Sequence, residues 1–153
     1  MILMIRPDSW NLPVLVHVAG AMALVASITV VAAVLLQGWR TADAGAAASL
    51  QRFGARTLLF AALPSYFVMR GAAAWALSKE HLSNSKANWI GIGFAVADFG
   101  GLLLLIAIII ANIGARRSRE GGMSALTKVA TAISLLLVIA YIVATWAMTT
   151  KPS

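Results

Sequence analysis

WIGIGFAVADFGGLLLLIAIIIANIGA, residues 89–115, carries a single ionisable side chain, Asp98. A helix needs about 20 mostly apolar residues to cross a bilayer, and this run exceeds that. Three further runs, 12–36, 57–77 and 129–148, are each 20 residues or longer. All four are continuous rather than alternating, which favours spanning helices over barrel strands.

Composition leads to the same class. The 153 residues are 61% hydrophobic and 11% charged, with a mean hydropathy of +0.88. Soluble domains carry about 25% charged residues, so this chain has too few to cover a water-facing surface. The sequence predicts an all-α membrane protein, a four-transmembrane-helix bundle in up-down-up-down order. The helices are expected at about 12–36, 48–78, 89–115 and 125–149, in one transmembrane domain over 1–153. There is no cysteine, which excludes disulfides, thiolate metal sites and cysteine nucleophiles. At the N-terminus Arg6 is offset by Asp8, and the apolar stretch that follows is too long for a cleaved signal. The first helix is therefore expected to be retained.

The net charge of +7 raises nucleic acid as a partner. The basic residues instead cluster in two loops, with no aromatic-interleaved groove. That pattern fits the positive-inside rule and attraction to anionic lipid. Seven lie in or beside the first and third loops: Arg40, Arg52, Arg56, Arg116, Arg117, Arg119 and Lys128. Four lie on the other side: Arg6, Lys79, Lys86 and Lys151. The richer side is expected to be cytoplasmic, with both termini outside and a multi-pass arrangement in a bacterial inner membrane. Trp10, Trp75, Trp89 and Trp146 would then form an aromatic belt at the outer interface, with Trp39 at the inner one. The alanine-rich first loop suggests that the second helix begins near Ala44, capped by Asp43 or Thr41. Gly121-Gly122 reads as a break, with Ser124 capping the fourth helix.

Polar residues inside the spans carry the functional reading. At ~1.5 Å of rise per residue, His17, Arg70, Asp98 and Tyr141 all fall in the outer half, one from each helix. A charge at a helix centre costs roughly 2.5–3.5 kcal/mol on the insertion scale. Pairing Arg70 with Asp98 relieves both and orients the second helix against the third. Tyr66, one turn before Arg70, shares its face. These five are the candidates for ligand binding or a proton relay. The plainer alternative is that the ion pair only fixes helix registry, that His17 is satisfied by a neighbouring hydroxyl or carbonyl, and that Tyr66 packs. Gly93, Ala97 and Gly101 form a small-residue series expected to let helices approach closely. Thr131, Ser134, Val138, Tyr141 and Thr145 mark an inward face of the last helix. Pro64 is expected to kink the second helix below Arg70.

The other chemistries find little support. Only His17 and His81 exist, and His81 lies in the outer loop, so haem lacks a second membrane histidine. Copper would need methionines clustered around His17, and none cluster there. No metal site, zinc-protease, serine-hydrolase or phosphate-loop motif is present, and the reading leans away from an enzyme. The leading expectation is a polar intramembrane site that binds or passes a small ligand, ion or proton. The alternative is a non-catalytic accessory subunit of a larger membrane complex, and the third is a redox protein holding haem, quinone or copper. Partners are the bilayer together with further copies of the chain or other membrane subunits, and not nucleic acid.

LVHVAGAMAL (residues 15–24) and TWAMTTKP (145–152) resemble small bacterial four-helix integral membrane proteins whose function is not established. These are distantly similar to the membrane part of copper-resistance proteins. The resemblance implies a four-helix bundle in a bacterial inner membrane and supplies no activity. The single membrane histidine argues against carrying copper over.

Overall fold

The computed structural model describes residues 8–79, 88–118 and 124–150, with side chains placed for 12–79, 91–118 and 124–146. His81, Gly121, Gly122 and the side chains of Trp10 and Trp89 lie outside the described residues, as do Arg6, Lys86, Arg119 and Lys151. Nearly all of the described residues are helical. The order is α1 (Asp8–Arg40), α2 (Ala44–Thr57), a π turn (Leu58–Ala62), α3 (Leu63–Lys79), α4 (Asn88–Arg117) and α5 (Ala125–Thr150). The helices α2 and α3 with the π turn make one continuous helical stretch. Four stretches are therefore long and apolar enough to cross a membrane.

The helices outrun the apolar windows that announce them. The first continues from 36 through Gln37, Gly38 and Trp39 to Arg40. Hydropathy falls there, but the backbone ladder does not need apolar side chains to continue. The second begins at Ala44 and not at 48. Its N-cap is Asp43, whose carboxylate accepts from the N–H groups of Gly45 at 2.7 Å and Ala46 at 3.3 Å. These are two of the donors that a helix start leaves unpaired. At the start of α5 the Ser124 hydroxyl accepts from the Thr127 N–H at 3.3 Å.

The helix expected to kink at Pro64 runs on through it. The irregularity lies just before it, where the Leu63 N–H donates to the Leu58 carbonyl across five residues. This π turn inserts one residue into the α ladder. The ladder resumes through Pro64, which has no N–H to contribute.

Each long helix buries one stripe. On α1 it runs Leu24, Ile28, Val31 and Leu35, all fully buried, at helical steps of three and four. Leu58 and Ala62 of the π turn, Leu104, Ala107 and Ala111 of α4, and Ala130 and Leu137 of α5 complete the core. The outward faces are apolar as well. Met22, Phe60, Phe67, Phe99 and Ile139 are exposed. Water-facing helices carry polar residues at such positions, and contiguous apolar surface on every side matches a lipid surround.

Packing is uneven around the bundle. Strong contacts join α4 to α5, α3 to α1, and α1 to α2 and α5, whereas α3 meets α4 at few positions. The cause is a tight crossing at Gly20. A Cβ placed there would come within 2.8 Å of the Met69 backbone nitrogen and 3.0 Å of its Cα. Only a hydrogen at that position lets the α1 and α3 backbones touch. The second helical stretch thus passes close to both α1 and α4 in its α2 half and leans onto α1 in its α3 half.

Gly20→Leu is expected to lower stability by ~1–3 kcal/mol, the usual cost of overpacking a tight contact. Gly71 has nothing within 4 Å of its Cβ position, so Gly71→Ala should leave stability unchanged or raise it slightly. Thermal unfolding of both variants in detergent checks this, and equal effects would refute the tight crossing.

Candidate functional site

Four of the five candidate residues surround one short piece of α4, 98–101. Gly100 and Gly101 form its floor. The Tyr141 phenol enters from α5 over Gly100, where a Cβ would sit 2.8 Å from its oxygen. The Tyr66 phenol enters from α3 over Gly101, where a Cβ would overlap both its hydroxyl and its ring. Two consecutive glycines thus admit two phenols from different helices side by side. This differs from the close backbone approach expected of Gly93, Ala97 and Gly101. Gly93 and Gly101 are buried and Ala97 is half-buried, but at Gly101 the space between α3 and α4 is filled by a tyrosine ring.

One turn above Gly101, α4 holds Arg70. The guanidinium lies 4.6 Å from the centre of the Phe94 ring, and its Nε donates to Asp98 Oδ1 at 3.1 Å. Phe94 and Asp98, four residues apart, lie close together on the helix surface and hold the cation between a ring face and a carboxylate. The pair sits at the rim of the bundle, with the Arg70 side chain 29% exposed and that of Asp98 58%. It bridges the gap where α3 and α4 scarcely touch.

The bridge holds a single hydrogen bond. A guanidinium offers five N–H donors, and only the Nε donor has a protein partner among the described residues. The Tyr141 hydroxyl is buried and has no hydrogen-bond partner among the described residues. Buried polar groups are nearly always hydrogen-bonded, and leaving one unpaired costs ~1–3 kcal/mol. The site therefore presents surplus donors: a largely uncommitted guanidinium and a buried, unpaired phenol.

His17 is not part of this group. It lies on α1, three residues before Gly20, and its Nδ1–H donates to the Met69 carbonyl at 2.9 Å. That bond fixes the neutral ring as the Nδ1-protonated tautomer and leaves Nε2 as an acceptor. His17 and Gly20 together make the α1–α3 contact. On α5 the Thr131 and Ser134 hydroxyls are buried, yet each donates to the carbonyl four residues back in its own helix, both at 2.8 Å. They satisfy themselves and do not bond across helices.

A second polar cluster lies beside the α4–α5 connection, and inspection of the sequence does not single it out. Gln51 of α2 is 1% exposed. The Thr127 hydroxyl donates to its Oε1 at 2.9 Å, and the Ser124 hydroxyl reaches Thr127 Oγ1 at 3.0 Å. Gly114 of α4 packs directly on Thr127 and Ser124. The cluster ties α2, α4 and α5 together, and Gln51 Nε2 has no partner among the described residues. The one sequence signal is spacing: Gln51 falls on the same helical face as Ala47, Ala48 and Ala55, all buried.

Comparison with family models, curated proteins and solved structures finds no significant match for this chain.

Tyr141→Phe is expected to leave stability unchanged or raise it by up to ~1 kcal/mol, because it removes a buried hydroxyl that has no partner. A loss greater than that in thermal unfolding would mean the hydroxyl is bonded. His17→Asn, whose amide can place a donor near the position of Nδ1, should retain more stability than His17→Leu, which leaves the Met69 carbonyl with one bond fewer.

Proposed function

We propose that this chain is a multi-pass protein of a bacterial cytoplasmic membrane, and that its site on α4 binds or passes a small polar ligand, ion or proton. The four spans cross up-down-up-down. Contact order supports this, since partners rise in number on one helix as they fall on the next. Gly20 meets Met69 while Gly38 meets Leu50; Gly100 meets Tyr141 while Gly114 meets Thr127. The cytoplasmic side is the one rich in Arg52, Arg56, Arg116 and Arg117, by the positive-inside rule.

The observation that carries the functional reading is an arginine between α3 and α4 with a single hydrogen bond; the Tyr141 hydroxyl, buried over Gly100, is a further donor without a partner among the described residues. Donors in surplus, in a low-dielectric surround, select an acceptor: an anion or a carbonyl-bearing molecule. Asp98, more than half exposed, adds a carboxylate beside the guanidinium. Charged groups at membrane depth default to ligand or ion pathways. A second reading, a non-catalytic subunit of a larger complex, rests on a different observation. Asp98 and the exposed Phe99 face out of the bundle together, where a neighbouring membrane helix would meet them.

In proteoliposomes the wild-type protein should show proton or anion flux by pH- and anion-sensitive dyes. Arg70→Gln combined with Asp98→Asn should abolish the flux while the unfolding temperature stays within a few degrees. Unchanged flux in that variant refutes the site. No wild-type flux together with co-purification of a defined set of membrane proteins establishes the second reading. Topology is checked separately, because a chain without cysteine makes any introduced thiol unique. Ser78→Cys should react with an impermeant reagent on intact cells, and Ser49→Cys only after permeabilisation.

A further inference from the structure

At the end of the molecule away from the Arg70–Asp98 pair, α2 and α4 flank a cavity of about 100 Å³, open to the surface and lined by Arg52, Ala55, Arg56, Asn112, Ala115 and Arg116. From this geometry we infer a binding site for a phosphoryl oxyanion. Arg52 and Arg56 are one turn apart on α2 and so project from the same side of the helix. Arg116, in the last turn of α4, faces them across the cavity. The floor is two alanines, Ala55 and Ala115, both nearly fully buried, so no bulky side chain fills the space between the cations.

Three guanidiniums around one cavity repel each other, and no carboxylate among the described side chains offsets them. Among the described side chains the carboxylates are Asp43 and Asp98. Asp43 caps α2 and Asp98 pairs with Arg70. None of the three arginines has an ion-pair partner among the described residues. The donors match the proposed ligand in kind. Guanidinium forks bond phosphate oxygens two at a time. Asn112 gives one amide N–H to the Ile108 carbonyl at 2.8 Å, which leaves its second N–H for the anion. The cavity is open to the surface, so a tetrahedral head group can enter it. A phosphomonoester, carrying about −1.5 to −2 at neutral pH, balances the cluster better than a diester.

That head group has two sources: an anionic lipid of the leaflet at this end, or free phosphate. Native mass spectrometry and thermal unfolding of the purified protein in neutral detergent separate them. The probes are phosphatidic acid, phosphatidylglycerol, phosphatidylcholine and inorganic phosphate. Phosphatidic acid, inorganic phosphate or both should bind and raise the unfolding temperature, and phosphatidylcholine should not. Binding of the lipid alone assigns a headgroup site, and binding of phosphate in competition with the lipid assigns a soluble oxyanion. Each arginine removed should weaken binding about tenfold, as expected for a lost charge-assisted bond. Arg52→Gln/Arg56→Gln/Arg116→Gln should therefore abolish binding. The control variant Arg40→Gln/Arg117→Gln/Lys128→Gln loses the same charge from residues that do not line the cavity, and it should keep binding within about threefold of wild type. Equal losses in both variants would mean diffuse attraction to a basic surface and would overturn the site, as would absence of phosphate preference in the wild type. Should the triple variant lose helicity, Arg116→Gln alone tests the same expectation. None of these substitutions touches the Arg70–Asp98 group, so its outcome is independent of the flux measurements.

Discussion

The contact of Gly20 with the Met69 backbone governs the rest of the bundle. It lets α3 lie against α1 at backbone distance, reinforced one turn away by the His17 bond to the Met69 carbonyl. A helix drawn that close to one neighbour is withdrawn from the other. The gap left on the α4 side is too wide for small residues to close. It is filled by the Tyr66 ring and spanned by the longest available side chain, Arg70. The ion pair and the phenol above the glycines are thus consequences of where α3 is pinned. The polar layer is not the cause of the packing; it occupies the space the packing leaves.

This ordering changes how the ion pair should be weighed. A buried pair must offset a large desolvation cost, and its value is then registry. Arg70 and Asp98 sit at the rim with a single hydrogen bond between them, on helices that scarcely pack together. A pair holding two helices in register would sit where those helices meet. This one leaves four of the five guanidinium donors without a protein partner among the described residues.

Much of the architecture was legible in the residues. Long apolar runs announce helices because the backbone must pair with itself wherever water is excluded. Asp43 and Ser124 were legible as caps because both precede helix-forming runs. Depth and sign alone were enough to bring Arg70 beside Asp98. Other features left no trace. His17 is satisfied by a backbone carbonyl, a group every residue carries, so no side-chain pattern could name its partner. Pro64 advertises a missing N–H but not that the ladder would adjust before it. Gly101 reads as a helix-packing residue and Gly100 draws no reading of its own, and only the fold reveals that each receives a tyrosine. The arginines of the basic end could be counted by loop, yet counting does not say which three face one cavity.

The π turn at Leu58–Ala62 makes the two ends of the second span separately adjustable. A regular helix is a rigid shaft: turning one end turns the other by the same angle. One inserted residue advances everything beyond it by about 100°. The phase of α3, and with it the positions of Met69 against Gly20, Tyr66 against Gly101 and Arg70 beside Asp98, is therefore set by one residue more than a continuous α ladder would hold. Deleting one residue from this turn would keep every side chain of the α3 contacts and misdirect all of them together, while Asp43, Gln51 and the arginines of α2 kept their bearings. The span behaves as a jointed rod, and its joint lies between the two places where the protein gathers charge.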